Sequence, residues 1–184
     1  TVTLRLVQEG YALFLFGLLG TTQVKFLIDS GATASLVSPW LVQEAGLFNY
    51  LDFRQSFIMC NSVHHQYTPQ IRGRLHAPLV CTGVDGRDLV LRPYFLVMDA
   101  AMPVLGLDML CAHGACLFFA PNPHVVISVD PMDAHIEPPL KVMCRMGCSQ
   151  EIATVDTGAT TTFISFQAAC RAGLRVTTGS HWSS

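Results

Sequence analysis

The feature that most limits how this chain folds is a repeat. Asp29-Ser30-Gly31-Ala32-Thr33 returns as Asp156-Thr157-Gly158-Ala159-Thr160, 127 positions later. The same offset carries Gly20 onto Gly147, Ser38 onto Ser165 and Ala45-Gly46-Leu47 onto Ala172-Gly173-Leu174. Because one constant offset aligns a glycine before a strand, an acidic loop and a helix end, the repeat marks duplicated structure rather than chance. The copies are unequal: many strand-like segments follow Asp29, whereas the sequence from Asp156 to Ser184 has no room for them. Pro121-Asn122-Pro123 and the stretch Pro131 to Pro139, with its three prolines, mark a turn and a linker between the copies. The expected organisation is a unit over residues 1–130, a Pro-rich linker over 131–139 and a partial second unit over 140–184.

Short β-type runs separated by Gly, Pro, Asn and Asp dominate the first copy. They are Thr3 to Val7, Tyr11 to Leu18, Val24 to Ile28, Ser56 to Met59, Leu75 to Val80, Leu89 to Leu91, Tyr94 to Val97 and His124 to Ile127. Asp85-Gly86 between apolar runs predicts a hairpin turn. Two short helices are expected in the first 130 residues. One is Trp40 to Ala45, with Ser38 as N-cap, Pro39 at the first position and Gly46 just past the end; the other is Leu107 to His113, stopped by Gly114. This balance predicts a mainly β domain, a closed barrel-like sheet plugged by one or two short helices, followed by a partial repeat of its N-terminal half.

Composition narrows the partners. Apolar residues make up 51% and charged residues 13%, roughly half the charged share usual for a globular protein. Such a deficit fits a surface partly covered, most simply by another subunit. A formal charge of −2 with scattered Lys and Arg gives no stripe to neutralise a phosphate backbone, so nucleic acid is not an expected ligand. Tyr11 to Leu19 is too short to cross a bilayer, and no membrane contact is expected. The chain begins at Thr1, which reads as an excerpt or a processed product. Seven cysteines, an odd number in no disulfide-framework spacing, point to a reducing, cytoplasmic compartment. Cys111, His113 and Cys116, and Cys60 near His64-His65, complete no four-ligand zinc pattern; neither metal nor cofactor is expected.

The acidic loop carries the candidate chemistry. Hydrolysing a peptide with carboxyl groups alone requires one that holds a water and takes its proton, and a second acid that protonates the carbonyl oxygen. Two carboxyls forced together share one proton, because the first charge opposes the second ionisation. Leu27-Ile28 before Asp29 lower the local dielectric, Ser30 offers a hydroxyl to brace the loop, and Gly31 permits a tight turn. Asp-Ser-Gly by itself reads equally well as an ordinary turn.

The wider pattern resembles a known family. Phe26-Leu27-Ile28-Asp29-Ser30-Gly31-Ala32-Thr33-Ala34-Ser35-Leu36-Val37-Ser38 looks like the active-site segment of retropepsins, above all those of gypsy-type retrotransposons and their domesticated relatives. Pro103-Val104-Leu105-Gly106-Leu107-Asp108-Met109-Leu110 resembles the family's second signature, and His113-Gly114-Ala115 followed by a hairpin ending at Ile127 resembles its close. The resemblance covers residues 1–130 and implies a retropepsin-like aspartic endopeptidase that cleaves an extended polypeptide, such as a polyprotein in which it sits. It further implies that Asp29 is the catalytic residue that activates water, that Ser30 locks the loop against its partner, and that Gly31 and Ala32 shape the site. Met59, Asn61 and His64 would lie in the flap over substrate, while Asp108 is expected to brace the nearby backbone.

The second carboxyl has three candidate sources: Asp29 of a second copy in a homodimer through residues 1–130, Asp156 of the same chain with Thr157, Gly158 and Ala159 as its loop, or Asp156 as the start of a second full domain. The homodimer is the favoured expectation, since the tail has room for neither flap nor closing helix. A reading from another class is a catalytically inactive, retroelement-derived dimerisation or peptide-binding module, which the incomplete duplication favours.

Overall fold

The computed structural model describes residues 1–53, 71–99, 101–131 and 140–177. The expected strand Ser56 to Met59, the flap residues Met59, Asn61 and His64, Cys60 and His65, and all but the first residue of the expected linker lie outside the described residues.

Strands β1 (Val2–Arg5), β2 (Val7–Glu9), β3 (Ala12–Leu19) and β4 (Thr22–Ile28) lead to the first acidic loop. Beyond it come β5 (Ser35–Val37), α1 (Pro39–Glu44) and β6 (Leu51–Asp52). Then follow β7 (Ile71–His76), β8 (Leu79–Thr82), β9 (Asp88–Leu91), β10 (Tyr94–Met98), β11 (Val104–Leu105), α2 (Leu107–Ala112), β12 (Cys116–Phe118) and β13 (His124–Ile127). The second copy supplies β14 (Lys141–Met146), β15 (Ser149–Thr154) and α3 (Phe166–Arg171).

The chain is mainly β, as expected. Its largest sheet runs β6-β7-β10-β5-β11-β4-β3-β8-β9, with β2 added to β3, and curls into a half-barrel. A second sheet has the order β1-β13-β12, and β14 pairs with β15 alone. The expected run from Leu75 to Val80 is two strands, β7 and β8, because Pro78 has no N–H to give a ladder. Asp85-Gly86 turns the β8–β9 hairpin with Gly86 at φ +83°.

Alternation along β4 sets the position of the first acidic loop. Val24, Phe26 and Ile28 point into the core, and Phe26 stacks on Phe95 of β10 with ring centroids 5.7 Å apart. Lys25 points outward to Glu9, 2.9 Å away. Continuing this period, Asp29 faces away from the core just where the strand ends. β11 then inserts between β4 and β5, pairing parallel with the former and antiparallel with the latter. A strand from further along the chain thereby separates the two legs of the acidic turn.

The offset of 127 seen in the sequence is repeated in the backbone. Gly20 and Gly147 have φ +58° and +53°, in a region that favours glycine, and a Cβ on either would collide with the carbonyl of Ala45 or Ala172. Ser38 and Ser165 cap α1 and α3 identically, each hydroxyl accepting the N–H three residues on at 3.1 Å.

Candidate active site

The first acidic loop is held from behind. The N–H of Asp29 donates to the carbonyl of Leu105 at 3.0 Å, and that of Leu107 to Ala32 at 2.8 Å. Gly106 lies so close to the carbonyls of Ala32 and Ala34 that a Cβ would fall 2.7 Å from both oxygens. Asp108 accepts the N–H and the hydroxyl of Ser35, at 3.0 and 2.8 Å, and the N–H of Met109 at 2.8 Å. The Ser35 hydroxyl in turn accepts the N–H of Gly106 at 3.0 Å. Asp108 is therefore a brace for the loop, as anticipated. Ser35, fully buried, was not singled out in the sequence, since a serine before an apolar pair looks like any strand residue.

From the front, the loop is held by its own repeat. The Ser30 hydroxyl accepts the N–H of Thr157 at 2.8 Å and donates to the carbonyl of Val155 at 2.7 Å. In return, the Thr157 hydroxyl accepts the N–H of Ser30 at 3.0 Å and donates to the carbonyl of Ile28 at 2.8 Å. Each loop also turns on itself in the same way. Gly31 N–H donates to Asp29 Oδ1 and Gly158 N–H to Asp156 Oδ1, both at 2.9 Å. Ala32 and Ala159 donate to the carbonyls of Asp29 and Asp156, both at 3.2 Å.

This bracing brings the two carboxyls together at the junction, each against the other loop's glycine. A Cβ on Gly31 would strike the Asp156 carboxylate, and one on Gly158 the carboxylate of Asp29. Burial pushes the Asp29 carboxyl up to about 6; its contact with Asp156 and the charge of that group push the same way, against the N–H groups of Gly31 and Ala32. Among the three candidate sources of a sister carboxyl, the chain's own Asp156 is the one placed against Asp29. Pairing with a second copy through residues 1–130 would need the face of the Asp29 loop that the Thr157 loop covers here.

The remaining expectations fall elsewhere. Among the described residues no group of three or more His, Cys, Asp or Glu is arranged to hold a metal ion. His113 is buried, with Nδ1 2.8 Å from the carbonyl of Ser128. Among the described residues no helix is long and apolar enough to cross a membrane. A cavity of about 550 Å³ lined by Tyr50, Asp52, Arg74, His76 and Tyr94, among others, includes none of the acidic-loop residues.

No protein-family model matches the sequence. The chain is similar to DNA damage-inducible protein 1 of Neurospora crassa, at 35% identity over 106 residues, 56% of this chain and 22% of the relative. The protein of the same name from Kluyveromyces lactis is 36% identical over 95 residues, 51% of this chain and 21% of the relative. The chain spans about one fifth of the length of the curated relatives it matches. Among solved structures, the retroviral protease-like domain of Ddi1 from Leishmania major aligns at 22% identity and a TM-score of 0.43, over 68% of this chain and 96% of that one. A retropepsin-like aspartic protease from Rickettsia conorii aligns at 13% and 0.44, over 67% and 88%. The inhibitor-bound EIAV protease aligns at 21% and 0.40, over 58% and 91%.

Proposed function

We propose that this chain of retropepsin-like fold is an aspartic endopeptidase whose two catalytic carboxyls, Asp29 and Asp156, come from one polypeptide. The observation that carries the reading is the placement of each carboxyl against the opposite loop's glycine, on loops that brace each other through Ser30 and Thr157. A shared proton between two acids is what metal-free peptide hydrolysis needs. Asp29 is the more enclosed of the two, and the proton belongs to the pair. As water adds to the peptide carbon, the ionised carboxyl of the pair takes a proton from the water and the protonated one gives its own to the carbonyl oxygen. When the C–N bond breaks, the first carboxyl passes a proton to the departing nitrogen and the second recovers one from the adduct.

The substrate class is an extended polypeptide cut at apolar sites, a polyprotein containing the chain among them, acting in a reducing compartment such as the cytoplasm. Ala32 and Ala159 border the cleavage position. The test is a peptide-library digest at acidic and neutral pH with the purified 184-residue chain, Asp29→Asn and Asp156→Asn. Both substitutions are expected to abolish cleavage with folding intact. Full activity in Asp156→Asn would remove Asp156 from the site and return the second carboxyl to a homodimer. The alternative is a non-catalytic module for dimerisation or peptide binding; a chain that binds library peptides and cuts none would establish it.

A further inference from the structure

One row of side chains crosses the largest sheet on the face away from its main core. Direct register partners run from Leu27 of β4 to Val104 of β11, Leu36 of β5, Leu96 of β10, Arg74 of β7 and Asp52 of β6. Directly opposed residues share a face, and Leu27 shares its face with Asp29, two positions on. None of these six belongs to the main hydrophobic cluster that holds Phe26 and Phe95. The row therefore starts beside the acids, stays apolar for four strands, and turns polar at Arg74 and Asp52. There it ends in the cavity of about 550 Å³, whose lining residues all come from the first copy. Three rings wall this cavity, and each is more than half exposed: Tyr50 at 67%, Phe53 at 57% and Tyr94 at 56%. Tyr94 is held between neighbours, with the His76 ring centroid 4.1 Å away and the Arg74 guanidinium 5.8 Å from its own ring centre. The formal charges of Arg74 and Asp52 cancel, so a charged occupant meets no net opposite charge there.

We propose that this cavity seats an aromatic side chain of the polypeptide substrate, remote from the bond held at the acids, and that Tyr94 selects it. The acids and the cavity share one sheet face, so a polypeptide lying on the acids is the chain that crosses toward Tyr94. This step rests on the reading of Asp29 and Asp156 as a peptide-cleaving pair. In the sheet order, β10 stands three spacings from β4, roughly 14 Å, a path that about four residues of extended chain cover. Along it the substrate backbone passes over the apolar part of the row, Val104, Leu36 and Leu96. At its end an aromatic ring stacks on Tyr94 and meets the edges of Tyr50 and Phe53, gaining beyond the area it buries. Because Tyr94 is already held by His76 and Arg74, little ordering is left to lose when the ring arrives.

The test is fluorescence anisotropy of labelled synthetic peptides with the full 184-residue chain. Each peptide carries two central leucines joined by a methylene-amine in place of the amide, so that it binds without being cut. A single Trp is walked outward from the centre on a Ser-Gly background, with matched sets bearing Glu or Ala. At one distance from the centre, Trp is expected to tighten binding about tenfold over Ala and over Glu. Tyr94→Ala should erase that preference, Tyr94→Phe should keep it, and Tyr11→Ala, at an exposed position elsewhere in the first copy, should leave it unchanged. No preference at any position, a preference for Glu, or a Trp preference that survives Tyr94→Ala would overturn the proposal. The same peptides with ordinary amides read cleavage separately. A chain that keeps the Trp preference and cuts nothing supports the cavity and refutes the peptidase reading, whereas cleavage without the preference refutes the cavity alone.

Discussion

Ser30 and Thr157 exchange hydrogen bonds in both directions: each hydroxyl accepts the other's backbone N–H, at 2.8 and 3.0 Å, and donates to a carbonyl of the opposite strand end. These four bonds tie the two loops together. Ser30→Ala leaves the Thr157 N–H and the Val155 carbonyl without their partner, at a cost of about 2 kcal/mol. Thr157→Ser keeps the hydroxyl and should cost less than about 1 kcal/mol. Hydrogen exchange will separate the two: in Ser30→Ala, residues 140–177 should exchange faster while β3 and β4 keep their protection.

Acid chemistry at Asp29 gives a pH dependence with a definite sign. Its carboxyl, raised from 3.8 to about 6, binds its proton more tightly in the folded chain than in the unfolded one. The stabilisation is complete below about pH 4 and is lost as pH rises through about 6. The melting temperature of the native chain should therefore fall across that window relative to Asp29→Asn, which has nothing to titrate there. Peptide cleavage should decline above about pH 6, where the shared proton leaves; a kcat/KM profile flat from pH 5 to pH 8 would contradict this.

Gly158 lies against the Asp29 carboxylate, so Gly158→Ala places a methyl group where the opposing acid sits. The carboxyls must move apart, and misplacement by an ångström is enough to lower the rate about a hundredfold. The expected result is a fall of that order in kcat/KM with little change in the far-ultraviolet circular dichroism.

Asp108 holds three donors behind the first loop. Asp108→Ala strands the buried Ser35 and loosens the turn, with a loss of about 3 kcal/mol measurable by urea unfolding. Asp108→Asn, which still accepts at one oxygen, should lose less.

Local chemistry made much of this fold readable from the residues. Glycines with positive φ at Gly20 and Gly147, capping serines at Ser38 and Ser165, and the Asp85-Gly86 hairpin each depend on a few neighbours. The acidic loops were legible for the same reason. What could not be read was the identity of the acid that meets Asp29. The residues around each loop do not say which acid it meets; among the described residues the bracing hydrogen bonds join residues 28–30 to 155–157, far apart in sequence. β11 escaped because a two-residue strand has no period of its own; its neighbours β4 and β5 define it. Leu75 to Val80 read as one strand because apolar content outweighed Pro78, whose missing N–H breaks the ladder.

Because Asp29 and Asp156 travel on one backbone, their meeting is a unimolecular event. Two half-sites on separate molecules come apart on dilution, whereas a tether keeps their effective concentration high however scarce the protein becomes. A substitution in one loop also leaves the other unchanged, which no symmetric pair allows. Scarcity therefore cannot silence this pairing, and the two sides of the junction are free to diverge toward a lopsided ligand.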